Sequence, residues 1–296
     1  MIERILLILE SCALYIPLMI GAYITFSLMK IPYFSIETSF VTGAIIASKM
    51  LVYMHDYPLI ITLIAVCSTS IVGGCLIGII TACITTIGKI PHLLANVITI
   101  GIGYGINLFL LQGSYQSLAH LKNPLILMSD SQNPELAVLV LISVGIIILC
   151  YLFLKTQLGM CIKIYGNNSL FFKHYAISTS YIVSCGEIIA SGLAGLSGYF
   201  IAQSSGFIDV NAGNGLTLFC LTALILGKTF LSRHNANSFM MPLAGLIIYT
   251  FLQQCIISSG VDLKYFTLIQ SLIITAILIK KYRHTEQRTT SETLGV

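Results

Sequence analysis

The sequence predicts an all-α polytopic membrane helical bundle of about nine spans, with two broken or re-entrant helices in an inverted repeat. Three observations carry this. First, 56% of the 296 residues are hydrophobic and only 9% are charged, against about 25% charged in soluble domains. With a mean hydropathy of +0.93, such a chain cannot cover itself with water-facing side chains. Second, the apolar residues come in long runs with few breaks. Helical spans need about 20 residues each, whereas a membrane barrel shows short alternating segments. Third, two polar interruptions look alike. PYFSIETSF and GFIDVNAGNG each carry aromatic or small residues and an acidic residue (Glu37, Asp209), then lead into a glycine-bearing apolar helix. An odd number of spans between them sets them on opposite faces, the pattern of inverted-repeat transporters with broken helices. Two unrelated polar turns would leave the same trace.

The elements follow in order. The first span covers about 5–29, with Pro17 as a kink. KIPYFSIETSF interrupts it, and a second span runs 41–53. HDYP makes a tight turn before a long third span, 59–87, which contains Gly73, Gly74 and Gly78. GKIP ends it, and the fourth span is 93–111. A polar connection, 112–135, precedes the fifth span, 136–154. After a polar stretch at 155–178 come the sixth span (181–202), the second interruption (203–215) and the seventh span (216–231). The eighth is 239–257, the ninth 265–279, and the tail is polar. Nine spans of ~20 residues use most of the chain and leave no room for a separate soluble domain. The expected organisation is one transmembrane domain, 1–280, and a short cytoplasmic tail, 281–296. No cleavable signal peptide is expected, since the first apolar run has no A-x-A site. The nine cysteines fall almost entirely in apolar runs without a CxxC pair and read as small packing residues.

The stretch 155–178 carries Lys155, Lys163, Lys173 and His174 and no acidic residue. Basic loops lie on the cytoplasmic side. Placing it there puts Lys30, Lys89, Lys228, Arg233 and the basic tail on the same side, and only Arg4, Lys122 and Lys264 opposite. This hand sets the C-terminus in the cytoplasm and, for an odd span count, the N-terminus outside. The stretch is either a docking surface for a cytoplasmic partner or a solvated linker whose lysines only set orientation. The net charge of +4 sits in loops and speaks for orientation, not nucleic-acid binding.

Few residues can carry chemistry. Glu187 lies mid-span, where an ionised carboxylate costs roughly 2.5–3.5 kcal/mol on insertion scales. It either lines a path or gate or is a hydrogen-bonded structural acid. Lys49 is the basic residue well inside an apolar run; it either pairs with Glu187 or snorkels to an interface. Glu10 reads as interfacial. Ser191, Gly192, Gly195, Ser197 and Gly198 form one small-residue packing face, and Gly101, Gly103 and Gly105 another. LILGKT is not a phosphate loop, because Thr222 stands where a glycine is required. No HExxH, paired cysteine or histidine set, or Ser-His-Asp grouping occurs, so an enzyme is not expected. A stand-alone ion- or proton-coupled secondary transporter would use Glu187 and Lys49 as its coupling site. A structural scaffold would leave both broken helices unexplained.

LGMCIKIYGNN followed by AIS, then EIIASGLAGLSGYF, then GFIDVNAGNGLTLFCLTALILGKTF resembles the permease subunits of type II ABC importers, the branched-chain amino acid, ribose and nucleoside permeases. The resemblance runs from about 32 to 281. KIPHLLANVITIGIGYGINLFLLQG with PYFSIETSF looks closest to a branch grouped with tryptophan/tyrosine or uncharacterised amino-acid importers. The resemblance implies that Leu158, Gly159, Gly166, Asn167 and Ile177 form the cytoplasmic coupling element that seats on an ATPase. It departs from the family at Ala176 and Lys228, where the family usually has glycine. It implies that Asp209, Asn211, Gly213 and Gly215 lie near the translocation path, where Glu37, Lys49 and Glu187 are further candidates. It also implies a bacterial inner-membrane machine with a second permease copy, a cytoplasmic ATP-binding subunit and an extracytoplasmic solute-binding protein. This chain then binds no cofactor, and ATP and Mg belong to the partner ATPase. The substrate is a small polar solute, aromatic or branched-chain amino acids being the implied class.

Overall fold

The computed structural model is helical almost throughout and describes residues 2–54, 57–118, 134–168, 170–174, 178–231 and 239–258, with single helical positions beyond. Helix α1 (Ile2–Ala22) passes through Pro17 and continues as a π-helical segment, Tyr23–Met29. Thr25 Oγ1 bonds back to the Gly21 and Ala22 carbonyls there, a pattern that bends helices. Then come α2 (Ile36–Tyr53), α3 (Leu59–Thr86), α4 (His92–Leu111) and α5 (Pro134–Lys155). Pro58 and Pro91 stand at the N-caps of α3 and α4, where a missing N–H costs nothing. Two short helices follow, α6 (Gln157–Asn167) and α7 (Leu170–His174). The last spans are α8 (Thr179–Ser205), α9 (Leu216–Leu231) and α10 (Met240–Ser258). By contact the chain divides into two units, Met1–Thr250 and Phe251–Val296. The first holds α1 to α9 and the start of α10; in the second, residues 251–258 complete α10.

Eight helices among the described residues are long and apolar enough to cross a membrane. They match the first eight expected spans; of the ninth only positions 268, 271, 272, 275 and 279, all helical, are described, and the tail lies outside the described residues. Three expectations change. The second span starts at Ile36, not 41, so Glu37 sits in its first turn. The basic stretch is not a plain loop but holds α6 and α7. The connection after α4 supplies a strand, β1 (Tyr115–Ser117), which pairs antiparallel with β2 (Phe207–Asp209), Tyr115 opposite Asp209. This small ribbon joins both polar connections at the C-terminal end of α8, while α6 lies near its N-terminal end. The 27 residues of α8 separate those ends by about 40 Å.

Helix α8 is the most enclosed span and α5 the least. The enclosure depends on residues without side chains. A Cβ on Gly195 would lie 2.6 Å from Ser70 O, and one on Gly78 would lie 2.8 Å from Ile188 Cα. Added carbons on Gly43, Gly74 and Gly198 would run into the backbones of Gly195, Ser191 and Phe40. Three backbones therefore meet directly at the α2–α3–α8 crossing, where lipid offers no hydrophobic gain over packing. Hydroxyls tie the same region: Ser70 Oγ donates to Gly195 O (2.6 Å) and Ser197 Oγ to Leu14 O (2.7 Å). The second glycine group divides. Gly103 packs on Thr38, but Gly101 and Gly105 face open space, so that packing face reduces to one residue. Glu10 accepts from Ser204 in an exposed position, as an interfacial acid would.

Gly195→Ala is expected to destabilise the detergent-solubilised protein by about 1–3 kcal/mol, the cost of overpacking, read as a lower thermal midpoint. Gly145→Ala, where a Cβ meets nothing within 4 Å, should leave it unchanged or raise it.

Candidate functional site

The first polar interruption is not a surface turn. Met29 closes the π-segment, Lys30 takes a left-handed conformation (φ 57), and residues 31–35 re-enter the bundle as an irregular segment that ends in a turn at 34–35, with Ile31, Tyr33 and Ser35 buried. At the buried positions the backbone polar groups need partners within the protein. One side chain of α4 answers for two of the segment's backbone groups, Ser35 N and Pro32 O. Asn96 Oδ1 accepts from Ser35 N (3.1 Å) and Ser35 Oγ (2.7 Å), and its Nδ2 donates to Pro32 O (2.9 Å) and His92 O (2.6 Å). Ile31 N donates to Thr25 O, and the Tyr33 hydroxyl bonds Ser191 Oγ on α8. Farther along α4, Asn107 Oδ1 accepts from Thr42 Oγ1 (2.8 Å). Asn96, Thr99, Gly103 and Asn107 share the buried face of α4. The sequence reading missed both asparagines, although two amides on one helical face of an apolar span are a legible signal.

The two interruptions meet in space. Glu37 Oε1 accepts from Gly215 N (3.2 Å) and Thr217 N (3.1 Å). A carboxylate of α2 thereby caps the first turn of α9, where unpaired N–H groups and the helix dipole favour negative charge. Gly215 has φ 85, a conformation that suits glycine. Gly213 lies so close to Glu37 O that a Cβ would collide. Asp209 and Asn211 are differently employed. The Asp209 carboxylate accepts from Asn211 N (2.9 Å) and caps a 3-10 turn, Val210–Gly213. A cleft of ≈ 220 Å³ lies between this turn, the start of α2 and the outer face of α4, lined by Glu37, Thr38, Tyr104, Asn107, Gly213 and Asn214 among others.

Glu187 is fully buried on α8, roughly 12 Å from its first residue at 1.5 Å per residue. Its Oε1 pairs with His92 Nδ1 at 3.2 Å, and His92 is half-buried at the start of α4. Glu187 Oε2 is buried without a hydrogen-bond partner among the described residues. Lys49 is exposed near the C-terminal end of α2. The Lys49–Glu187 pairing considered from sequence is thus replaced by His92–Glu187. Histidine was overlooked because it stands beside a proline at a span boundary, where it reads as a turn residue.

Helix α6 starts on a Thr156 cap whose hydroxyl accepts from Gly159 N (3.4 Å). Gly159 and Ile162 face inward, whereas Leu158 and Lys163 face out. A Cβ on Gly159 would strike Phe153 O, so glycine permits the sharp turn after α5. Gly166 allows α6 to rest on the carbonyl of Leu28 in the π-segment. Asn167 Oδ1 accepts from Lys30 Nζ (3.2 Å), so Lys30 and α6 share one end, as the basic count required. Burial pushes the Tyr165 phenol up, with the Glu187 charge adding to it. Ile177 and Ala176 lie outside the described residues.

The chain matches, over residues 4–279, the family described as "Branched-chain amino acid transport system / permease component". It is 30% identical over 260 residues to the tyrosine transport system permease protein of Clostridioides difficile (strain R20291), covering 88% of this chain and 84% of the relative. It is 27% identical to an uncharacterised protein of Rickettsia prowazekii (strain Madrid E), covering 86% and 89%. No solved structure matches the chain significantly.

Asn96→Leu should cost about 3 kcal/mol or more, since it strands several buried groups at about 1–3 kcal/mol each. Asn107→Leu should cost less, because Thr42 keeps its bond to Thr38 O. Thermal unfolding in detergent compares the two; equal losses would mean that the segment 31–35 does not depend on Asn96.

Proposed function

The chain belongs to the branched-chain amino acid transport system permease-component family, and from that premise we propose that it is the membrane-spanning subunit of an ATP-driven amino-acid importer. Membership makes it the multi-pass permease component of an ABC transport system, a transport subunit with partner subunits. The finer reading places it in a bacterial cytoplasmic membrane with its C-terminus inside. Its partners are then a cytoplasmic ATP-binding subunit that holds ATP and Mg, a second permease copy, and an external solute-binding protein.

One observation carries this reading. A single continuous segment, residues 28–37, touches α6 at one end and the start of α9 at the other. Leu28 lies against Gly166 and Lys30 bonds Asn167. Asn96 holds the middle, and Glu37 holds Gly215 and Thr217. A push on α6 therefore has a route of packed backbone to the cleft beside Glu37. In this reading Leu158, Gly159, Gly166 and Asn167, with Ile177, form the surface that seats on the ATPase. Glu37, Gly213 and Gly215 border the path, Asp209 and Asn211 shape its outer turn, and Glu187 ties α8 to α4 beneath it. Lys49, exposed on α2, fits an interfacial role. A ligand-driven two-state switch needs contacts that differ between its states, and the α6 surface is where they would arise. The tyrosine assignment of the Clostridioides difficile relative makes an aromatic amino acid the substrate of choice. A proton-coupled carrier would need a convergent set of ionisable groups, and Glu187 and Lys49 do not form one.

Leu158 is 38% exposed, so Leu158→Asp should leave membrane insertion intact. It should lower ATPase co-purification in mild detergent and ATP-dependent uptake by at least about tenfold, equivalent to about 1.4 kcal/mol at the interface. Uptake by the chain alone in liposomes, lost on adding an uncoupler, would overturn the importer reading.

A further inference from the structure

The cleft beside Glu37 has a chemistry of its own. Among the described residues its polar lining consists of one carboxylate (Glu37), the amides of Asn107 and Asn214, the hydroxyls of Thr38 and Tyr104, and no lysine, arginine or histidine. Both bonds from α9 fall on Glu37 Oε1. The carboxylate is thus held in one orientation, with Oε2 left for another donor. The N-terminus of α9 offsets about half an elementary charge, which leaves the cleft net negative. Asn107 accepts from Thr42 through Oδ1, so its Nδ2 is a donor on the wall. Tyr104 is 43% exposed, and its ring offers an apolar face that also attracts cations. Gly101 lines the same wall, and a Cβ there would meet nothing within 4 Å. The space is therefore open to a guest.

We propose that this cleft is an ammonium-selective subsite, in which Glu37 Oε2 accepts from the protonated amine of a small solute and Tyr104 takes its apolar body. An ammonium has three donors and no acceptor, which suits a lining richer in acceptors than in cations. The amide of Asn107 would receive the carboxylate of a zwitterion. A carboxylate without an amine would find no compensating charge. The solute's route through this cleft rests on the importer reading; the charge selectivity of the cleft does not.

The test uses Gly101→Cys in the full chain, with its partner subunits, in native membrane vesicles. Labelling at position 101 is read by peptide mass spectrometry, so the native cysteines do not interfere. A cationic methanethiosulfonate reagent should modify residue 101 at least about tenfold faster than an anionic one, after correction for their rates with free cysteine. That factor is the low end of what a one-sign cleft does to local ion concentration. Glu37→Gln keeps an acceptor for α9 but removes the charge, and should bring the ratio to about one. L-Tyrosine and tyramine should slow the labelling, whereas 3-(4-hydroxyphenyl)propionate should not. A ratio near one in the parent, a ratio unmoved by Glu37→Gln, protection by the acid as strong as by the amine, or a residue 101 inert to both reagents would each overturn the proposal. Labelled L-tyrosine uptake with and without ATP is measured in the same vesicles. Its absence would sink the importer reading while the labelling ratio still decides the cleft.

Discussion

A non-helical backbone segment entering an apolar bundle must find partners within the protein for its buried polar groups, and residues 31–35 are the place where this chain meets that demand. At its buried positions, Ile31, Tyr33 and Ser35, an unpaired amide or carbonyl costs a few kcal/mol. Asn96 serves two points of it with one side chain, because its amide presents an acceptor to Ser35 and a donor to Pro32 O. The rest of the arrangement hangs on this clamp. It sets the point at which α2 begins, and hence brings Glu37 within reach of α9.

The clamp works only because the neighbouring backbones are close. Gly43, Gly74, Gly195 and Gly198 let α2, α3 and α8 approach to direct backbone contact. Small residues substitute here for the hydrophobic drive that lipid cannot provide. The same crossing carries Ser191, which bonds Tyr33, so the packed core and the broken helix are one construction. A kink produced by Thr25 and the π-segment then delivers Leu28 to Gly166 on α6.

The functional consequence is a molecule with two dissimilar ends joined by one segment. At the α6 end the outward side chains are apolar, amide or basic, among them Leu158, Asn167 and Lys163. At the ribbon end the cleft is acidic and amide-lined. The His92–Glu187 pair adds a second tie between α4 and α8. Helix α4 is thereby fastened at its beginning to the α6 half and, through Asn107, at its far end to the wall of the cleft. Both interruptions carry an acidic residue, the basis for expecting an inverted repeat. They are not held wholly apart on opposite faces, because the first runs inward from Lys30 and meets the second at Gly215.

The sequence by itself determined the class, the approximate spans, the basic end and the positions at which helices break. Each of these follows from local composition: apolar run length, lysine placement and glycine or proline punctuation act over a few residues. It also marked Gly195 and Gly198 as packing residues, since small side chains repeated along one helix have few other uses in a membrane. Only the tertiary structure decided the partners. Ser35 with Asn96, His92 with Glu187 and Glu37 with Thr217 join residues far apart in the chain, and no spacing rule encodes such a pairing. Residue type says that a buried amide or carboxylate needs a partner. Which one it finds depends on how three backbones cross, and that geometry exists only in the folded bundle.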